Sequence, residues 1–341
     1  MILGLTWYVL LATLIAGYAI LDGFDLGVGF LHFLVPRSEE ERRLSLASVA
    51  PVWDGNEVWL VTAGGALFAA FPPVYATVFA GFYLPLMLVL FALILRALSI
   101  EVRNRGASPT WRRFFDRGFV VGSTLTALLL GVAVGNLMRG LPLNGRGEYA
   151  GSFFDLLNPF SLFIGATALA MFAMQGACWL AMKSEGELSR RATTAALFAW
   201  AAFVALYLDA TLWVPSDAPW LFLRARRSFA PWIPMLPMLV CLISLPVLLR
   251  RGRLRLAFLC SSITIACVVA VLAIAACPIL VLCTNDVTRS LTAFNAASSP
   301  RTLRTMLIIT LGALPFVLGY TIFTYRVWRG KLRSNEDKTG Y

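Results

Sequence analysis

Long apolar stretches separated by short polar connections run through the whole chain. A hydrocarbon core about 30 Å thick takes about 20 apolar residues at 1.5 Å rise per residue. On that measure the pattern predicts nine membrane spans, near residues 5–31, 48–71, 74–98, 117–138, 158–182, 191–213, 231–249, 256–282 and 304–327. The first and eighth are long enough to tilt or to project beyond the bilayer. Phe71-Pro72-Pro73 predicts a tight turn between the second and third spans, because proline lacks a donor and disfavours helix in the residue before it. Pro231, Pro234, Pro237 and Pro246 predict a kinked seventh span. The connections near 99–116, 139–157 and 283–303 are too short for a soluble domain, and no internal repeat stands out. A single integral membrane domain over 1–341 is expected, in an all-α fold.

Composition agrees. Of 341 residues, 59% are apolar and 14% charged, against about 25% charged in ordinary soluble domains. A mean hydropathy of +0.77 excludes a water-soluble globule, a disordered chain and a secreted disulfide scaffold. The net charge of +11 could suggest nucleic acid, but its distribution says otherwise. Of the 29 Lys and Arg, 21 fall in the connections after the odd-numbered spans and in the tail, and eight in the alternate connections. By the positive-inside rule the N-terminus lies outside and the tail 326–341 in the cytoplasm. The cations meet anionic lipid, and no nucleic-acid partner is needed. The first cation is Arg37, so residues 5–31 lack the basic start of a signal peptide and are expected to remain as a helix.

Candidate chemistry is sparse. Cys178, Cys241, Cys260, Cys267, Cys277 and Cys283 form no C-x-x-C pair and read as small apolar packing residues. His32 is the one histidine, so the chain alone cannot build a bis-His haem or a multi-His metal site; it reads as solvated or structural, with a single axial ligand the other use. Trp7, Trp213, Trp220 and Trp328 suit interfacial belts. Asn136, Gln175 and Asp209 suit interhelical hydrogen bonds. Charges inside spans are costly and mark function. Asp22 and Asp25 share a helical face, as do Asp54 and Glu57. With Arg96 and Asp116 they fall in the cytoplasmic half of the first four spans. Clustered carboxylates favour each other's protonated forms, so such a group can hold an exchangeable proton. A structural ion-pair network is the other reading.

The stretches Asp22-Gly23-Phe24-Asp25-Leu26-Gly27-Val28-Gly29 and Trp53-Asp54-Gly55-Asn56-Glu57-Val58-Trp59-Leu60 carry a family resemblance. Thr62-Ala63-Gly64-Gly65, Gly81-Phe82-Tyr83, Gly135-Asn136-Leu137, Leu157-Asn158-Pro159-Phe160 and Gln175-Gly176-Ala177 extend it in order. Together they resemble subunit II of the cytochrome bd-type quinol oxidases, densely over 17–180 and more thinly afterwards. The resemblance implies two four-helix bundles (1–138 and 139–282), then a ninth helix and cytoplasmic tail (283–341). It implies a bacterial inner-membrane heterodimer in which subunit I carries haems b and d and oxidises quinol. The complex reduces O2 to water with cytoplasmic protons and adds to the proton-motive force. Subunit II ligates no cofactor and has no catalytic residue of its own. Quinone is the substrate and is also expected as a structural lipid; small single-span accessory subunits and membrane lipid are further partners. Carried over by position, Trp53 and Asp54 match a pair facing subunit I whose acid lines a proton pathway, to which Glu57 is added here. Asp25, Arg96 and Asp116 match a buried charged cluster, to which Asp22 is added. Position 57 is a departure, since Gln is the family's familiar residue there. A proton- or cation-coupled secondary transporter using the same acids is the alternative reading.

Overall fold

A computed structural model describes residues 1–106 and 108–332. Twelve α-helices account for most of them: α1 Ile2–Leu31, α2 Glu39–Ala47, α3 Trp53–Ala70, α4 Pro72–Gly81, α5 Tyr83–Val102, α6 Pro109–Arg139, α7 Pro159–Lys183, α8 Gly186–Asp217, α9 Pro219–Arg227, α10 Met235–Arg250, α11 Leu254–Ala276 and α12 Pro300–Val327. Among the described residues, eight helical segments are long and apolar enough to cross a membrane: α1, α5 to α8, α10 to α12 with their flanking turns. The helix α3 has 18 residues and is not among them, because Asp54, Asn56 and Glu57 occupy its first turns. Past residue 332 the expected cytoplasmic tail lies outside the described residues.

The helices depart from the expected spans in three places. Residues 74–98 do not form one helix: α4 stops at Gly81, and α5 begins at Tyr83 after the junction residue Phe82. Gly81 lets Tyr149 of the 140–157 connection close on that junction, since a Cβ there would lie 2.7 Å from the Tyr149 Cβ. The eighth span does not reach 282. α11 ends at Ala276 and the chain turns into a short antiparallel hairpin, β1 Ile279–Val281 with β2 Leu291–Thr292. The fourth begins at Pro109 rather than 117, on the N-cap Ser108, so Asp116 lies two turns inside the helix. The Phe71 turn is where the prolines place it, with Pro72 and Pro73 opening α4.

α1 lies at the centre, against α3, α6, α7 and α11. Its closest approach is to α7: a Cβ on Gly27 would meet the Phe172 carbonyl oxygen at 1.9 Å, and one on Gly176 the Gly27 carbonyl carbon at 2.4 Å. Only glycine at both positions permits this contact. α2 is a short amphipathic helix with a capping box, Ser38 Oγ accepting from Glu41 N–H while the Glu41 carboxylate accepts from Ser38 N–H. At the opposite end the 290–299 segment covers α1 and α3. Ser298 donates its N–H to the Ala70 carbonyl at 2.9 Å and its hydroxyl to the Ala69 carbonyl at 2.6 Å. This covering takes Trp7 out of any interfacial belt. It is 3% exposed and donates to the Leu303 carbonyl at 3.0 Å.

Candidate functional site

Ionisable side chains gather at two levels of α1. At the first level, Arg96 of α5 is fully buried. Its Nη2 lies 2.7 Å from Asp22 Oδ1 of α1 and 3.0 Å from Glu57 Oε1 of α3. Asp25, also fully buried, does not pair with Arg96; its Oδ2 accepts from Asn56 Nδ2 at 2.8 Å, and Asn56 Oδ1 accepts from the Tyr325 hydroxyl of α12 at 2.8 Å. Four helices thus meet in one polar cluster, in which Asp22, Asp25 and Glu57 outnumber Arg96. Small residues make this possible, since a Cβ on Gly122 of α6 would come within 3.1 Å of the Arg96 Cβ. Asp54 lies one turn from Glu57 but on the exposed side of α3, together with Gly55, Val58, Val61, Thr62 and Gly65. Trp53 is half-buried beside it.

The second level lies about 15 Å further along α1, where His32 follows its last turn. Asp116 is here, not in the Arg96 cluster. It takes His32 Nε2 at 2.8 Å and Arg103 Nε at 2.5 Å, with Arg42 Nε at 3.7 Å. Arg103 in turn reaches Glu39 of α2 at 2.9 Å. The expected cluster of Asp22, Asp25, Arg96 and Asp116 is therefore divided. His32 comes ten residues after Asp22 and Arg103 seven after Arg96, so the two levels take residues from different turns. His32 is completely buried, with Nδ1 3.4 Å from Ser45 Oγ. Both ring nitrogens face protein partners, so His32 does not fit as a haem ligand. No group of three His, Cys, Asp or Glu among the described residues is arranged to hold a metal ion. The six cysteines are free thiols, buried or half-buried.

Of the residues expected to bond between helices, Gln175 joins α7 to α11 through Ser262 Oγ at 2.9 Å. Asn136 ties the end of α6 to the next connection through the Leu156 carbonyl at 2.8 Å and Asn158 Nδ2 at 2.9 Å. Asp209 is exposed on α8 and makes no such bond among the described residues. Sequence reasoning did not single out Asn56, Arg103 or Tyr325. Asn56 had a signal, since two residues after Asp54 it must face the other side of the helix. Arg103, seven residues after Arg96, shares its face. Tyr325 has no local signal; only the return of α12 onto α3 brings it in.

Nearer the covered end, α1, α3, α4, α5, α6 and α11 line a half-open cavity of about 940 Å³. Its walls are apolar, among them Leu11, Leu60, Phe68, Phe79, Leu90 and Leu272. Tyr8 spends its hydroxyl on the Ala273 carbonyl at 2.7 Å.

The chain resembles proteins of known kind over nearly its whole length. The pattern of the cytochrome bd terminal oxidase subunit II family matches residues 3–328. The chain is 37% identical to the probable cytochrome oxidase subunit 2 of Haemophilus influenzae, covering 96% of this chain and 95% of that protein. It is 36% identical to the cytochrome bd-I ubiquinol oxidase subunit 2 of Escherichia coli K12, covering 98% and 96%, and 31% identical to the cytochrome bd ubiquinol oxidase subunit 2 of Bacillus subtilis, covering 98% of each. The fold is similar to a chain of the bd oxidase from Geobacillus thermodenitrificans, with a TM-score of 0.77 over 96% of this chain and 99% of that one, at 15% identity. With eight apolar helices long enough to cross a bilayer among its described residues, this multi-pass inner-membrane protein belongs to the cytochrome bd terminal oxidase subunit II family.

Proposed function

We propose that this chain is the haem-free half of a quinol-oxidising, O2-reducing complex, and that Asp54 and Glu57 carry protons from the cytoplasmic side toward a haem-bearing subunit I. The observation that carries the reading is the exposed side of α3. Asp54 is expected in the cytoplasmic half of the membrane, where a carboxylate facing lipid is unfavourable. Asp54 nevertheless stands on that side, among Gly55, Thr62 and Gly65, small residues suited to the close approach of another helix. A polar neighbour supplied by a second subunit removes the conflict. Glu57, one turn on, connects Asp54 to the buried cluster through Arg96. The departure from Gln at this position adds a second proton-exchanging group to the route. The haems belong to the partner, in keeping with His32 being turned inward onto Asp116 and Ser45. The apolar cavity has the volume and walls for a quinone bound as a structural lipid. In this reading the N-terminus lies outside and the basic connections in the cytoplasm, as the distribution of Lys and Arg supports.

The test is O2 consumption per haem in the purified two-subunit complex. Asp54→Asn keeps the shape of the side chain and removes its exchangeable proton. The complex is expected to assemble with an unaltered haem spectrum and to turn over slowly. Asp54→Asn with Glu57→Gln is expected to be slower than either single change, because the two groups share a path. Wild-type turnover in the fully assembled double variant would refute the proton role.

A further inference from the structure

The first turn of α3, which presents Asp54 and Glu57, is poorly secured by its own sequence. Its N-cap is Val52, which offers no side-chain acceptor. The Val49 carbonyl accepts from Trp53 N–H and the Val52 carbonyl from Asn56 N–H, each at 3.0 Å, and no side chain caps the N–H groups of Asp54 and Gly55 between them. Gly55 follows within the turn, and no heavy atom lies within 4 Å of where its Cβ would be. Glycine here adds backbone freedom without packing. Asn56 supplies what the turn lacks. Buried at 2% exposure, it points away from Asp54 and is held at both ends of its amide. Its Nδ2 donates to Asp25 on α1 and its Oδ1 accepts from Tyr325 on α12, each at 2.8 Å. Tyr325 is well placed to act as the fixed end. Its ring packs near Trp179 at 6.1 Å and Phe24 at 6.5 Å. Tyr325 is itself half-buried, and Leu303, at the far end, is the one buried residue of α12. The Tyr325 hydroxyl is therefore a tie from the last helix of the bundle to the proton-bearing turn.

Resting on the proton-route reading above, we infer that Tyr325 is a positioning residue for proton uptake: through Asn56 it fixes the first turn of α3, so that Asp54 faces the partner and Glu57 faces Arg96. Asp25 serves as the second anchor of the same amide. Tyr325 does not itself carry the proton; it acts on the groups that do.

The two-subunit complex carrying Tyr325→Phe tests this, since the ring contacts with Trp179 and Phe24 remain and only the hydroxyl is lost. Turnover per haem is expected to fall about fivefold, the equivalent of one neutral hydrogen bond. The solvent deuterium isotope effect should rise, the KM for quinol should not move, and the haem spectrum should be unaltered. Asn56→Ala should give the same defect, and adding Tyr325→Phe to it should cost nothing further. Tyr320→Phe, on the exposed side of α12, should behave as wild type. Wild-type turnover and isotope effect in Tyr325→Phe overturn the inference. Loss of the assembled haem-bearing complex also overturns it, in favour of a purely structural anchor. Additive defects in the double variant overturn the connection through Asn56. If Asp54→Asn respires normally, the proton-route reading itself falls; if Asp54→Asn is slow while Tyr325→Phe is normal, only the positioning role falls.

Discussion

Arg96 neutralises two carboxylates that differ in what they can do without it. Asp22 is wholly buried beside it, whereas the Glu57 side chain retains 19% exposure. Arg96→Ala is therefore expected to strand Asp22 above all. Removing one member of a buried pair costs about 3–5 kcal/mol, so the measurable result is a low yield of assembled complex rather than a selective kinetic defect. Asp22→Asn in the same chain should recover part of that yield, and Asp116→Asn should not, because Asp116 pairs with His32 and Arg103 instead. Equal recovery by both would return Asp116 to the Arg96 cluster. The residue types of this site were legible in the sequence, since a charge inside a span announces itself. The pairings were not. Topology assigns Asp22, Asp25, Arg96 and Asp116 to one half of the membrane, but hydrogen bonding is decided on a scale of 3 Å, and ten residues of helix separate the two levels.

The element α2 shows how a short helix outside the apolar core is held by charge. Burial pushes the Glu41 carboxyl up. The Arg37 N–H, the Arg191 guanidinium and the Ser38 N–H outweigh this and hold it below the ordinary range. A carboxyl depressed in the folded state contributes stability above its unfolded value, about 4.3, and loses it as pH falls through the folded value. Glu41→Ala should therefore loosen α2 at pH 7 by about 1–2 kcal/mol, read as faster amide exchange relative to wild type. The gap should narrow as the pH falls below about 4.3 and close once it passes the depressed folded value, where the wild-type carboxyl is itself protonated. A gap independent of pH would assign the effect to packing. Long apolar elements were legible from hydropathy alone, and the two prolines marked the α3–α4 turn correctly. The break at Phe82 was not visible because Gly81-Phe82-Tyr83 is apolar throughout; Tyr149, far along the chain, packs against it.

Across the whole molecule, α1 packs against α3, α6, α7 and α11, and its contact with α7 tolerates no side chain. Gly27→Ala would drive a methyl into the Phe172 carbonyl. Overpacking of this kind costs about 1–3 kcal/mol, so the assembled complex should melt at a lower temperature. Gly312→Ala on α12, with open space around it, should leave the melting temperature unchanged and serves as the comparison. A reporter inserted at Gly145 should lie outside, and one after Arg329 inside; both on one side would overturn the orientation drawn from the cations. The contact between Gly27 and Gly176 also bears on the order in which the protein can be made. When α1 first enters the bilayer it brings Asp22 and Asp25 with it, while Arg96, Asn56 and Gly176 are still untranslated. Until α5 arrives the acids have no cation, and until α7 arrives the glycine face has no cover. The nascent chain must therefore hold α1 in water, in its protonated form, or at the insertion machinery until Arg96 has been made, and the glycine face stays uncovered until more than half of the protein has been synthesised.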